Sequence, residues 1–250
     1  MASRARKISG WVLKSIGILI AAILLYQLWL FGWVCWYAWQ PPQSSAVMRE
    51  EIHRLRETDP EAGIDYRWVD YAQINVRLKQ AVVAAEDGNF VEHGGVDWDA
   101  IESAYAHNRE LEEAREAAVA RGRKPSSRPM RGGSTITQQL AKNLLLSNER
   151  SYVRKGQELV ITYMIELVMS KQRILELYLN VAEWGEGVFG AEAAAQHYFG
   201  VPASKLSAYQ SAKLAAMLPR PRFYDKNRNS AYLASRTDVL ARRIGSAEIP

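Results

Sequence analysis

Three polar strings in this 250-residue chain carry residue types that can do chemistry. The first, E-D-G-N-F-V-E-H-G-G at Glu86 to Gly95, puts a carboxylate at the border of an apolar helical stripe and just before a Gly/Asn turn, where a helix end meets a cleft. Asp87, Phe90 and His93 stand beside it. The second, G-G-S-T-I-T-Q-Q-L-A-K-N at Gly132 to Asn143, offers backbone N–H groups at a helix start, the hydroxyls of Ser134 and Thr135, the amides of Gln138 and Gln139, and the Lys142 ammonium. Helix N-termini attract anions because their first N–H groups lack partners and the helix dipole is positive there. The third, R-K-G-Q-E at Arg154 to Glu158, sets a basic pair ahead of a second carboxylate, and with Lys142 and Arg150 it makes four cations within fourteen residues.

Each string also has a plainer reading. Glu86 alone reads equally as an exposed acid at a helix C-terminus, since acids of this kind mark sites only statistically. The Gly132 to Asn143 string reads as an ordinary capped helix, and it is not a phosphate-binding Walker loop because the G-x-x-x-x-G-K-[ST] order is absent. Cation runs are usually solvated surface, and Glu158 reads as a structural partner of its basic neighbours as readily as a catalytic group. His93 reads as a hydrogen-bonded scaffold residue, because no second His or Cys lies at metal-ligand spacing. No metal site is expected.

Two kinds of sugar chemistry divide on these residues. A glycoside hydrolase must protonate a poor sugar leaving group, so it needs a carboxylic acid beside a carboxylate base or nucleophile. A diphosphate leaving group needs no proton. Its growing negative charge must be held by Lys, Arg, helix amides or a metal while one carboxylate takes the proton of an attacking hydroxyl. One leading carboxylate among many cations favours transfer from a diphosphate.

The elements that must position these groups read as helices. Ile74, Leu78, Ala81, Val82 and Ala85 recur at the spacing of one helix face leading to Glu86. Trp98, Ile101 and Tyr105 begin a second helix, heavily charged from Arg109 to Arg115, whose tail through Arg121 to Ser126 is expected to form a mobile flap over residues 110–131. Thr135 to Gln138 matches the [ST]-x-x-[EQ] capping box. Leu159 to Met169, apolar except at Thr162 and Glu166, is expected to be a central buried helix. No strand-like alternation of useful length appears, so the fold class expected is mainly α.

Trp11 to Trp39 exceeds the roughly 20 apolar residues that span a bilayer. It is longer than a signal-peptide core and ends in bulky aromatics, so it is expected to be a retained anchor. Arg4, Arg6, Lys7 and Lys14 precede or open it, which predicts a cytoplasmic N-terminus and a domain outside the cytoplasm. Trp29, Trp33, Trp36, Tyr37 and Trp39 mark the outer interface. Those four cations account for most of the net charge of +5, leaving +1 for residues 40–250, so the basic pI gives no reason to expect nucleic acid. The single cysteine, Cys35, falls in the anchor and excludes an intramolecular disulfide. The organisation expected is a basic tail at 1–10, a transmembrane helix at 11–39, a juxtamembrane linker at 40–65 and one catalytic domain at 66–250.

With R-I-L-E-L-Y-L-N at Arg173 to Asn180 as a fourth string, the chain closely resembles the monofunctional biosynthetic peptidoglycan transglycosylases, whose glycosyltransferase module also occurs in bifunctional penicillin-binding proteins. The match covers about Tyr71 to Tyr224. The resemblance implies a lysozyme-like helical domain with a smaller membrane-facing lobe. Its expected activity is inverting polymerisation of lipid II into β-1,4-linked glycan strands with release of undecaprenyl diphosphate. Glu86 would then be the general base and Glu158 the second carboxylate, assisting departure or ordering the cations. Asp87, Phe90, His93, Ser134, Thr135, Gln138, Gln139, Lys142, Asn143, Arg150, Arg154 and Lys155 would form the substrate site. No cofactor is required, although a divalent cation, Mg2+ or Mn2+, at the diphosphate is compatible with the pattern. Expected partners are lipid II, the growing lipid-linked strand, the membrane and other cell-wall synthases, at the bacterial inner membrane. The 110–131 segment is long and highly charged for this family, and no transpeptidase segment follows, so peptide cross-linking is expected of another protein. A lysozyme-like cleaving enzyme and an inert lipid II-binding scaffold are the alternatives.

Overall fold

The computed structural model describes residues 2–126, 130–149 and 151–250. Helix α1 (Ala2–Trp39) is one continuous helix whose stretch Leu13–Trp39 is long and apolar enough to cross a bilayer. It forms a unit of its own, and the second unit runs from Pro41 to Pro250.

That second unit starts earlier than the sequence suggests. Residues 40–65 were expected to be a linker, but they include α2 (Ala46–Arg56), whose Val47, Met48 and Glu51 are buried. Glu51 anchors it: Arg54 donates to both its oxygens at 2.7 and 2.8 Å, and Arg222 pairs with it at 2.8 Å. A buried carboxylate with three charge-assisted contacts fixes a short helix that periodicity alone marks only as charged.

After β1 (Asp65–Tyr66) the chain forms α3 (Val76–Glu86), capped by Asn75, which accepts from the Arg77 N–H at 2.9 Å. Leu78, Ala81, Val82 and Val83 face inward, and Glu86 is the last helical residue. Helix α4 (Trp98–Ala120) runs straight through the region expected to turn into a flap at residue 110. Its Ala-, Glu- and Arg-rich sequence favours helix at every step, with Arg109 and Glu113 paired one turn apart at 3.6 Å.

Next come α5 (Ile136–Leu145), α6 (Tyr152–Val168) and α7 (Lys171–Val181). The expectation that Leu159 to Met169 is buried all round fails. Glu158, Ile161, Thr162 and Ile165 are buried, whereas Val160, Tyr163 and Leu167 are exposed, so α6 is amphipathic with one apolar stripe turned outward. The central helix is α7, where Ile174, Leu175, Leu177, Tyr178, Leu179 and Val181 are all buried. Each such side chain contributes about 1.5–3 kcal/mol by leaving water.

Strands β2 (Glu183–Gly185) and β3 (Val188–Phe189) complete a three-stranded sheet in the order β1-β3-β2, with β1 parallel and β2 antiparallel to β3. Strands of two or three residues cannot display an alternating pattern, which is why the sequence gives no sign of them. Helices α8 (Ala191–Phe199), α9 (Ala208–Met217), α10 (Pro221–Lys226) and α11 (Ala231–Arg243) follow. Two packed groups result: α9 lies against α3 and α11, and α5 lies against α6 and α7. Glu86 closes the first group and α5 opens the second.

Candidate active site

The end of α3 and the start of α5 are held together by one carboxylate. Asp87, buried, accepts the Ile136 backbone N–H at 2.9 Å on one oxygen and pairs with His93 Nε2 at 2.8 Å on the other. His93 Nδ1 in turn accepts the Gly95 N–H at 3.1 Å, so the neutral ring carries its proton on Nε2 and donates it to Asp87. Thr135 adds a second tie, donating to the Gly95 carbonyl at 2.6 Å while capping α5 by accepting the Gln138 N–H at 3.2 Å. Gly95 itself has φ +94°, and a Cβ there would lie 2.8 Å from side-chain atoms of Thr162 and Glu166, so only glycine fits. Below the loop, Lys171 donates to the His93 carbonyl at 2.7 Å and to Glu166 at 2.8 Å, with its ammonium 4.7 Å from the centre of the buried Phe90 ring.

This frame aims Glu86 into a cavity of about 190 Å³ lined by Glu86, Asp87, Asn89, Asp97 and the Gly132–Thr135 turn. Gln139 Nε2 donates to Glu86 Oε2 at 2.9 Å, and the Gln139 Oε1 accepts from the buried Tyr178 hydroxyl at 3.0 Å. The carboxylate, an acceptor, takes the nitrogen end of the amide, and Tyr178 holds the oxygen end. Burial pushes the Glu86 pKa up, opposed by the Gln139 hydrogen bond and the Arg236 charge and aided by Asp87. A carboxylate of raised proton affinity, held by a single donor among the described residues, is suited to accept a proton when ionised. Burial pushes the Tyr178 phenol well above its ordinary value, so it stays a donor.

On the other bank, Glu158 is buried and both its oxygens are taken: Arg154 donates to one at 2.7 Å and Lys155 bonds the other. Lys155 also reaches the Ser134 hydroxyl at 3.3 Å, which brings the third string against the second. Lys142 makes no hydrogen bond or ion pair among the described residues, and burial lowers its pKa despite the attraction of Glu158. A desolvated ammonium with open donors beside a second cation pair is chemically suited to receive an anion.

The predicted residues thus divide. Glu86 and Ser134 line the cavity, Gln139 and Lys155 bond to them, Arg154 and Lys142 lie within the charge field of Glu158, and Asn143 is half-buried on α5. Asp87 and Thr135 touch the cavity but serve as ties, and His93 supports Asp87. Phe90 is fully buried, and the Gln138 side chain closes the α5 capping box by accepting the Thr135 N–H at 3.0 Å, so these two pack beneath the site and do not line it. Arg150 lies outside the described residues. Sequence reasoning passed over Tyr178 and Arg236. Tyr178 sits inside the fourth string, but a buried aromatic in an apolar run carries no signal of its hydroxyl's partner.

Asp87, His93 and Asp97 bring their ligand atoms within 4.8 Å of one another, a grouping that spacing along the sequence did not suggest. Each is engaged already: Asp97 caps α4 through the Ala100 N–H at 2.8 Å and accepts from Asn89 at 3.0 Å, while Asp87 and His93 hold the α5 junction. Their bonds are those of a structural clamp.

Comparison with known proteins agrees with this geometry. A family profile described as transglycosylase matches residues 52–245. A biosynthetic peptidoglycan transglycosylase of Bordetella avium (strain 197N) is 59% identical over 252 residues, covering 100% of this chain and 99% of its own length. The protein of the same description from Bordetella pertussis (strain Tohama I) is 62% identical over 227 residues, covering 91% and 89%. That of Herminiimonas arsenicoxydans is 51% identical over 245 residues, with 98% of each chain covered. With the helical fold, the carboxylate in its cavity and the facing cations in place, the chain belongs to the transglycosylase family, together with the biosynthetic peptidoglycan transglycosylases.

Proposed function

We propose that this glycosyltransferase polymerises lipid II into β-1,4-linked glycan strands, taking the growing lipid-linked strand as donor and releasing undecaprenyl diphosphate. Glu86 is the general base. Its free oxygen takes the proton of the acceptor 4-hydroxyl as that oxygen attacks the donor anomeric carbon with inversion; the bond to diphosphate breaks and its electron pair leaves on phosphate. Lys142, Arg154 and Lys155, with Ser134, meet that charge, and Arg150 and Asn143 are assigned to the same bank from the sequence string. Electrostatic stabilisation of this kind is usually the largest contribution to rate. The observation that carries the reading is the pairing of one desolvated carboxylate, fixed by Gln139 at 2.9 Å, with a half-buried lysine that forms no ion pair among the described residues.

Glu158 has the role of a counter-charge that orders Arg154 and Lys155. Its two oxygens are paired with two cations, whose charge repels Mg2+ or Mn2+ at this carboxylate, and no step is routed through a divalent ion. The cleaving reading lacks support, because a hydrolase has no use for the cation bank. The apolar N-terminal helix fits a membrane anchor. The proposed placement is a cytoplasmic N-terminus with the catalytic domain on the far side of the inner membrane, where other cell-wall synthases would use its strands.

Purified protein given lipid II is expected to form glycan and free undecaprenyl diphosphate, and Glu86→Gln to lower the rate by about 10²–10⁴-fold. Retained polymerisation in that variant rejects Glu86 as the base. Release of soluble fragments from preformed wall without lipid II would favour the cleaving enzyme, and tolerance of the double change Glu86→Gln and Glu158→Gln in complementation would favour the scaffold.

A further inference from the structure

Charge is unevenly placed in the unit outside the anchor. Residues 40–250 sum to +1, yet residues 117–134 hold five cations and no acid, leaving −4 for the remainder. Arg121, Arg123, Lys124 and Arg131 are all exposed, and the first three side chains make no ion pair or hydrogen bond among the described residues. Exposed Val119 and Met130 lie among them, at 60% and 46%.

The structure separates Arg121, Arg123 and Lys124, at the far end of α4, from the catalytic cleft, whereas Arg131 is tied back to Asn108 and adjoins the cavity-lining Gly132. Helix α4 starts beside Asp97 in the cavity wall and, at 1.5 Å per residue, reaches about 34 Å outward. Only Ala104 and Leu111 of its residues are buried. The returning chain is tied along it: Asn108 and Arg131 exchange two hydrogen bonds of 2.9 and 2.8 Å, and Arg115 donates to the Ser126 carbonyl at 3.0 Å. Gly133 completes the return, where a Cβ would lie 3.2 Å from the Ile101 backbone. The arm is therefore braced, with a cationic tip distinct from the diphosphate-binding bank.

We infer that the α4 tip docks on anionic phospholipid head groups of the bilayer beside the domain, an inference that rests on the lipid II reading for the presence of that bilayer. A concentrated set of unpaired like charges repels itself and is relieved by an anionic surface. Each Lys or Arg at such a surface strengthens partitioning by about fivefold, and exposed Val119 supplies apolar contact at head-group depth. Docking fixes the distance from the cleft to the lipid phosphate plane through a rigid helix.

The test uses the full chain with Cys35→Ser and Ala120→Cys, spin-labelled at the single thiol, in nanodiscs of phosphatidylcholine alone or with about 30% phosphatidylglycerol. The label is expected to lose water accessibility and gain lipid accessibility only in the anionic discs, and to revert near about 0.5 M salt. In the triple variant Arg121→Gln, Arg123→Gln, Lys124→Gln the docked-to-free ratio falls on the order of a hundredfold. Equal exposure of the label in both discs, or docking that survives in the triple variant, overturns the inference; so does protection that appears only when another protein is added. Lipid II turnover by the wild type in the same discs is scored separately. Docking without turnover supports the arm and counts against the catalytic reading, and turnover without docking does the reverse.

Discussion

Gln139 sits between two partners with opposite demands. Its nitrogen donates to Glu86 at 2.9 Å and its oxygen accepts from Tyr178 at 3.0 Å. Tyr178→Phe removes one hydroxyl from a fully packed position, so the amide loses the partner that holds its oxygen end. A neutral hydrogen bond contributes about 1 kcal/mol net, a preference of about fivefold. Without it the carboxamide is held by Glu86 alone and also populates rotamers in which it no longer donates to the carboxylate. Because the Gln139 bond opposes the effect of burial, the Glu86 pKa then moves further up. The base works only when ionised, so activity is lost first on the acid side. The kcat/KM of Tyr178→Phe for lipid II should fall by about five- to tenfold on the acid limb and come within about twofold of wild type on the alkaline plateau. Initial rates of polymerisation of fluorescent lipid II across pH 5 to 9, with thermal unfolding run in parallel, measure this. An equal loss at every pH, or no loss, refutes the relay.

Three further outcomes follow from the same geometry. Since the folded-state pKa of Glu86 is raised, ionising it works against the fold, and wild-type stability declines as pH rises from the ordinary carboxylate value through the raised one. Glu86→Gln lacks that decline, so its Tm advantage over wild type should widen between pH 4 and 8 while activity is lost; a constant difference contradicts the pKa direction. Glu158→Gln strands two cations around a buried position and should cost about 3 kcal/mol in urea unfolding, with KM for lipid II raised and the acid limb of the rate profile unmoved; a shifted limb would make Glu158 part of the proton transfer. Activity should be unchanged after chelation of divalent ions, measured on metal-depleted lipid II, because Arg154 and Lys155 already neutralise Glu158 and repel a further cation; loss restored by Mg2+ or Mn2+ would return the metal to the site.

Much of the site is legible in the residues, and the exceptions have physical reasons. The stripe leading to Glu86 and the capping box at Thr135 and Gln138 are local patterns, and both appear in the structure at their expected places, although Ile74 falls in the turn before α3. What the sequence hides is non-local. The Asp87 contact with Ile136 joins residues 49 apart, and Tyr178 meets Gln139 across 39 positions. Helix α2 depends on Arg222, far along the chain, for the contact that makes it part of the domain. The outward stripe of α6 escapes notice because Val160, Tyr163 and Leu167 look the same in sequence whether they face protein or not.

Glu86 being the last residue of α3 has one more effect. The carbonyl end of a helix carries roughly half a negative charge, which resists a full anion placed there. In the proposed reaction that conflict would disappear when the acceptor proton arrives, while negative charge would gather on the departing diphosphate among lysine and arginine. The helix backbone would then favour forward transfer over return.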